Sequence, residues 1–148
     1  MTKQQMRELV LAAKRAHGAT WTSLSQATGV GEVYLASCAH GENTLTPETA
    51  QRLGALLGLA PEVTSALLDV PMKGWSMEKP IPTDPLIYRF YEIISVYGTT
   101  LKDVIQEKCG EGIMSAIDFR MDVDKEASPK GDRVIVKMNG KFLPYARW

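Results

Sequence analysis

The sequence predicts an α+β protein: an all-helical N-terminal domain of helix-turn-helix outline over residues 1–70, then a small helix-plus-strand domain over 84–148, joined by an extended linker over 71–83. Three observations carry this reading. Apolar residues recur at helical spacing through the first half, prolines crowd the stretch from Pro71 to Pro85, and beyond Gly112 the apolar period drops to two.

In the first helix Met6, Leu9, Val10 and Ala13 share one face, Arg7, Glu8, Lys14 and Arg15 fill the other, and Gly18 follows as the stop. A second helix over 22–28 and a third over 32–40 lie either side of Gly29 and Gly31, the outline of a helix-turn-helix. Thr46-Pro47-Glu48 reads as an N-cap, a proline at the first helical position and an acid near the positive end of the helix. Ala50, Leu53, Leu56 and Leu57 form the apolar stripe of that fourth helix, which Gly58 ends, and Pro61 opens a short helix carrying Val63, Leu67 and Leu68.

The linker holds Met72, Trp75 and Met77 among its prolines, so it reads as extended chain packed on a surface rather than as a loose tether. Asp84-Pro85 then predicts an N-cap and first turn, a helix to about Tyr97, a break at Gly98, and a second helix from Thr99 or Thr100 to Gly110. In the strand that follows, Ile113, Ser115, Ile117, Phe119, Met121 and Val123 share one face, and Asp118, Arg120, Asp122 and Asp124 the other. Val134, Val136 and Met138 predict a second strand, Asn139-Gly140 a hairpin turn, and Phe142 and Leu143 a short third strand.

Composition narrows the function. The 148 residues suffice for one full domain or two small ones, and a hydrophobic fraction of 45% is that of a globular protein. Seventeen basic residues balance seventeen acidic ones, so the chain lacks the basic excess that non-specific binding to nucleic acid or anionic membrane uses. Cys38 and Cys109 form no CxxC pair and read as two reduced thiols. Met1-Thr2-Lys3-Gln4-Gln5 runs directly into an amphipathic pattern without a secretory signal region, and no apolar run reaches the roughly 18 residues of a membrane span. The expectation is a cytoplasmic protein that binds neither membrane nor nucleic acid.

The helix-turn-helix outline bears on that last point. Its second helix, Glu32 to His40, contains no Lys or Arg and starts with an acid, whereas a base-reading helix needs cations nearby for phosphates. Residues 1–70 hold five basic residues (Lys3, Arg7, Lys14, Arg15, Arg52) against six acids (Glu8, Glu32, Glu42, Glu48, Glu62, Asp69). This reads as a helical scaffold, and it argues against the alternative of a transcriptional regulator that oligomerises through its C-terminal half.

Two features of the second half point to chemistry. Arg89 and Glu92 lie three residues apart, hence on one helix face. By spacing alone they are a surface ion pair, which is worth little. Yet Ile87, Tyr88, Phe90, Tyr91, Ile93 and Ile94 make the same helix apolar nearly all round, which implies burial or an interface, where a charge pair needs partners. Ser115 is the second feature, a lone hydroxyl in an apolar strand face, readable as a small core residue or as a donor to a small ligand. Periodicity does not bring it to Arg89. His17 and His40 have no metal-ligand spacing to Cys or carboxylates, Asp122, Asp124 and Glu126 read as a solvated strand face, and no metal is expected.

The stretches Ile81-Pro82-Thr83-Asp84-Pro85, Tyr88-Arg89-Phe90-Tyr91-Glu92, Val96-Tyr97-Gly98-Thr99-Thr100-Leu101-Lys102, Gly112-Ile113-Met114-Ser115-Ala116-Ile117-Asp118-Phe119 and Asn139-Gly140-Lys141-Phe142-Leu143-Pro144 closely resemble the cyanase (cyanate hydratase) family. The closing Tyr145-Ala146-Arg147-Trp148 departs from the ending of its bacterial members. The resemblance implies bicarbonate-dependent decomposition of cyanate to ammonia and carbon dioxide through carbamate, serving detoxification and nitrogen supply. It implies Arg89, Glu92 and Ser115 as catalytic residues, with Ile113, Ala116 and Leu143 lining the substrate pocket. It also implies no cofactor beyond bicarbonate as co-substrate, and a homodecamer of five dimers with active sites at subunit interfaces. Glu92 would either hold Arg89 in place or assist a proton transfer.

Overall fold

The computed structural model describes residues 1–71 and 81–146, and its backbone forms two compact units. The first is built on five helices: α1 (Lys3–Ala16), α2 (Trp21–Thr28), α3 (Glu32–Ala39), α4 (Pro47–Leu57) and α5 (Pro61–Ala66). Three of the starts, those of α1, α2 and α4, follow from a side-chain cap. The Thr2 hydroxyl accepts from Gln5 N–H, Thr20 from Ser23 N–H and Thr46 from Thr49 N–H, with Pro47 at the first position of α4. Such caps stabilise by about 1 kcal/mol each. Gly29 and Gly58 end α2 and α4 in the left-handed conformation.

The apolar stripes of these helices meet in one core. Met6 and Val10 of α1, Leu35 and Cys38 of α3, Leu53 of α4 and Leu67 after α5 are fully buried, each contributing roughly 1.5–3 kcal/mol for a large side chain. Polar groups at the rim are satisfied. Lys3 Nζ donates to the carbonyls of Ala66 and Asp69, both at 2.7 Å, which ties α1 to the end of α5. The Thr28 hydroxyl donates to the Leu24 carbonyl at 2.7 Å. Cys38 is buried, Cys109 is exposed, and neither forms a disulfide among the described residues.

The second unit is built on α6 (Pro85–Cys109) and the base of a two-stranded antiparallel hairpin, β1 (Gly112–Glu126) with β2 (Arg133–Pro144). As expected, Asp84 caps α6, its carboxylate accepting from Leu86 and Ile87 N–H at 2.9 Å each. Among the described residues from 81 to 146, Ser115 alone is buried. Helix α6 has no buried residue over its 25 positions, and Leu86, Ile94 and Val96 are 69%, 55% and 62% exposed. Met72, Trp75 and Met77, the apolar residues expected to pack the linker, lie outside the described residues, as do Arg147 and Trp148.

Two sequence expectations are overturned here. The chain does not break at Gly98: α6 runs through it without interruption. A helical glycine costs only about 1 kcal/mol against alanine, and no proline is present to stop the helix. Nor does the hairpin turn at Asn139-Gly140 before a third strand. Strand β2 continues from Arg133 through both residues to Pro144. A type I′ turn needs positive φ at its central residues, and neither residue has it. The turn falls instead at Ser128 to Gly131, where Gly131 N–H donates to the Ser128 carbonyl at 3.0 Å and Gly131 takes φ 112°. The glycine at 140 answers a different need, the close passage of β1: an added Cβ would collide with the Ser115 carbonyl.

The helical unit also carries a testable pH dependence. His40 is half-buried after α3, its ring 6.4 Å from that of Trp21. Burial, and then the Arg7 charge, hold its pKa below the usual histidine value, with Glu42 opposing. The neutral form is therefore favoured by folding. Its stabilisation is present above the ordinary value near 6.5 and is lost as pH falls from there through the lower folded value. Between about pH 7.5 and pH 5.5 the melting temperature of the wild type should fall further than that of a His40→Gln variant. Equal falls in the two proteins would remove His40 as the cause.

Candidate active site

The two features singled out by the sequence both lie in the second unit. Because Asp84 and Pro85 start α6 at a defined point, Arg89 and Glu92 come one turn apart on the same face. Arg89 Nη1 donates to Glu92 Oε2 at 2.6 Å, and the two side chains are 67% and 46% exposed. The hydrogen bond and charge of Glu92 raise the already high pKa of Arg89, so the guanidinium stays charged throughout the working range. The pair uses one edge of a planar fork that carries five donors. Among the described residues, Glu92 is the one acceptor bonded to the Arg89 side chain. The rings of Tyr88 and Tyr91, the residues that precede Arg89 and Glu92 in the sequence, have centroids 5.9 Å apart.

Ser115 is 7% exposed on β1. Its Oγ accepts from Ile117 N–H at 3.1 Å and from Asp118 N–H at 3.0 Å. The two amides occupy the oxygen's lone pairs and leave the hydroxyl proton to be given away. Ser115 is thus built as a donor with a fixed oxygen. The amides of Ile117 and Asp118 were not legible in the sequence, because a hydroxyl bonding two and three residues onward departs from the plain strand alternation that was read there. The flanking positions contrast with it: Ile113 is 49% exposed, Leu143 is 39% exposed, and Ala116 is also exposed.

Among the described residues no hydrogen bond or ion pair joins Ser115 to Arg89 or Glu92. The local geometry therefore supplies two separate pieces of anion-binding equipment, a cationic fork and a hydroxyl donor, beside uncovered apolar residues. In the helical unit the comparable cation is Arg52, whose guanidinium donates to Glu48 at 2.9 Å and to the Thr28 carbonyl at 3.2 Å. The cleft of about 660 Å³ along α4 and α5 is lined by residues such as Ala50, Gly54, Leu59 and Leu68 and by no charged side chain. No helix among the described residues is long and apolar enough to cross a membrane.

Comparison with known proteins covers both halves. Residues 3–71 match the family model "Cyanate hydratase, N-terminal", and residues 79–147 match "Cyanate lyase C-terminal domain". The chain is 59% identical over 139 residues to a cyanate hydratase of Synechococcus sp. (strain CC9311), covering 94% of this chain and 92% of that one. It is 53% identical over the full 148 residues to a cyanate hydratase of Marinomonas sp. (strain MWYL1). Its fold resembles the crystal structure of cyanase from T. urticae, with a TM-score of 0.84 at 40% identity over 94% of this chain and 96% of that one. With both halves matched and similarity of this extent along the whole chain, the protein belongs to the cyanate hydratase family.

Proposed function

We propose that this protein decomposes cyanate in a bicarbonate-dependent reaction, with Arg89, Glu92 and Ser115 as its catalytic residues and Ile113, Ala116 and Leu143 lining the pocket. The observation that carries the reading is the full-length similarity to proteins named cyanate hydratase. The two anion-binding pieces on α6 and β1 are what such a reaction requires.

Cyanate and bicarbonate are both small anions. A bicarbonate oxygen attacks the cyanate carbon, and the resulting mixed species loses carbon dioxide to leave carbamate. Carbamate then breaks to ammonia and a second carbon dioxide, and the whole consumes two protons. The protein need supply no nucleophile. Its task is to hold two like charges together in reacting geometry, against Coulomb repulsion and lost entropy. The Arg89 fork suits a carboxylate-like anion, and the Ser115 hydroxyl, its oxygen held by two amides, suits a second acceptor. Glu92 holds Arg89 in orientation or passes a proton. The physiological roles are detoxification of cyanate and supply of nitrogen, in the cytoplasm, without nucleic acid or membrane.

The active form in this reading is a homo-oligomer, a decamer of five dimers, with sites completed at subunit interfaces. Its support is the apolar surface of α6, which has no buried residue in the single chain. Sedimentation should therefore show a large assembly and no stable monomer at working concentration. An active, monodisperse species of 16.3 kDa would refute the shared site.

Bicarbonate dependence is tested by assaying ammonia release from cyanate in buffer freed of dissolved carbon dioxide. Turnover should vanish and return on adding bicarbonate, and chelators should change neither result. Full activity without bicarbonate would mean simple hydrolysis.

Arg89→Lys separates orientation from charge. Lysine keeps the charge opposite Glu92 but loses the fork, so the assembly should survive while turnover falls by roughly 10²- to 10³-fold, as for loss of one oriented donor. Kinetics and sedimentation on one sample decide the matter. Near-normal turnover would reduce Arg89 to a structural partner of Glu92.

A further inference from the structure

The base of the hairpin is held by two close passages of backbone, each made possible by a glycine. A Cβ on Gly112 would collide with the Leu143 carbonyl and lie 2.9 Å from Pro144 Cα. A Cβ on Gly140 would collide with the Ser115 carbonyl and lie 2.6 Å from Met114 Cγ. The strands thus touch through the backbone at Ser115 itself. Met114 is 41% exposed and its flexible side chain can swing away. The Ser115 carbonyl cannot move without taking its residue with it. Because Ser115 Oγ is also tied to the amides of Ile117 and Asp118, a displaced backbone carries the hydroxyl off its place.

We infer that Gly140 is a positioning residue for Ser115: the absence of a side chain lets β2 press on the Ser115 backbone and sets where its hydroxyl stands. The inference rests on the reading of Ser115 as catalytic given above. Gly140 has no positive φ, so alanine meets no conformational objection there and a Gly140→Ala change acts through the contact alone. To clear the added methyl, the Ser115 backbone would have to retreat by something on the order of 1 Å, a misplacement that costs up to about 100-fold in rate.

The test is a double-mutant cycle in the full-length protein, read as kcat and KM for cyanate at saturating bicarbonate, with sedimentation on every sample. Gly140→Ala should keep the wild-type assembly and lower kcat by about 10- to 100-fold. In a Ser115→Ala background the same change should alter kcat by no more than about 2-fold, since the group it displaces is gone. Equal losses in both backgrounds, or a normal Gly140→Ala enzyme beside a crippled Ser115→Ala one, would overturn the inference alone. Wild-type turnover in Ser115→Ala would remove the catalytic reading of Ser115, and the inference with it. Should Gly140→Ala fail to fold, Gly140→Ala with Met114→Ala relieves the side-chain collision and leaves the carbonyl collision. A folded double variant that stays slow supports the inference. One that regains full turnover shows that packing on Met114 was the whole effect, and one that still fails to fold shows a general requirement of the hairpin; either result overturns it.

Discussion

The apolar surface of α6 is the constraint on which the rest of this protein turns. Ile87, Phe90, Ile93 and Ile94 are each between 46% and 56% exposed, and the hairpin that follows is exposed on most of its length. An isolated helix is marginal in water, and most helical stability comes from packing an apolar face. The five-helix unit meets this need internally, burying Met6, Val10, Leu35, Leu53 and Leu67 around one centre. The second unit buries only Ser115 among its described residues. One part of the chain thus buries a core of its own, and the other leaves apolar surface that the proposed assembly would cover.

That cover and the proposed chemistry are linked through the dielectric. In the single chain the Arg89–Glu92 pair is open to water, where a charge pair at contact distance is weak. Excluding water strengthens every interaction of the guanidinium, with Glu92 and with an anion alike, and raises the penalty for leaving it unpaired. In the proposed site Glu92 would keep the charge of Arg89 compensated before the anions arrive, whichever role it takes. An interface that satisfies the apolar side chains of α6 would supply this environment without further residues.

Ser115 shows a different device. A lone serine on a strand is adaptable, since its hydroxyl rotates. Here two backbone amides hold the oxygen and the passage of β2 against its carbonyl holds the residue. Preorganisation of this kind costs nothing at the moment of reaction, which is when a donor must already be aimed.

Much of this was legible in the residues. The caps at Thr46 and Asp84, the proline starts of α4 and α6, the stops at Gly29 and Gly58 and the period change after Gly112 are local signals, and local hydrogen bonding realises them in the structure. The Arg89–Glu92 pair was equally local, because helical spacing alone brings the two side chains together. At Gly98 and at Asn139-Gly140, by contrast, the glycine signal misled. A glycine marks either backbone freedom or the need for space, and the letter does not say which. Only the tertiary structure decided it, by running α6 through Gly98 and laying β2 against Ser115 at Gly140. The sequence by itself determined the helical unit, the start of α6 and the charged pair, since these depend on neighbours a few residues away. The length of α6, the path of β2 and the seating of the Ser115 hydroxyl depend on contacts between distant stretches of chain, which no local pattern encodes.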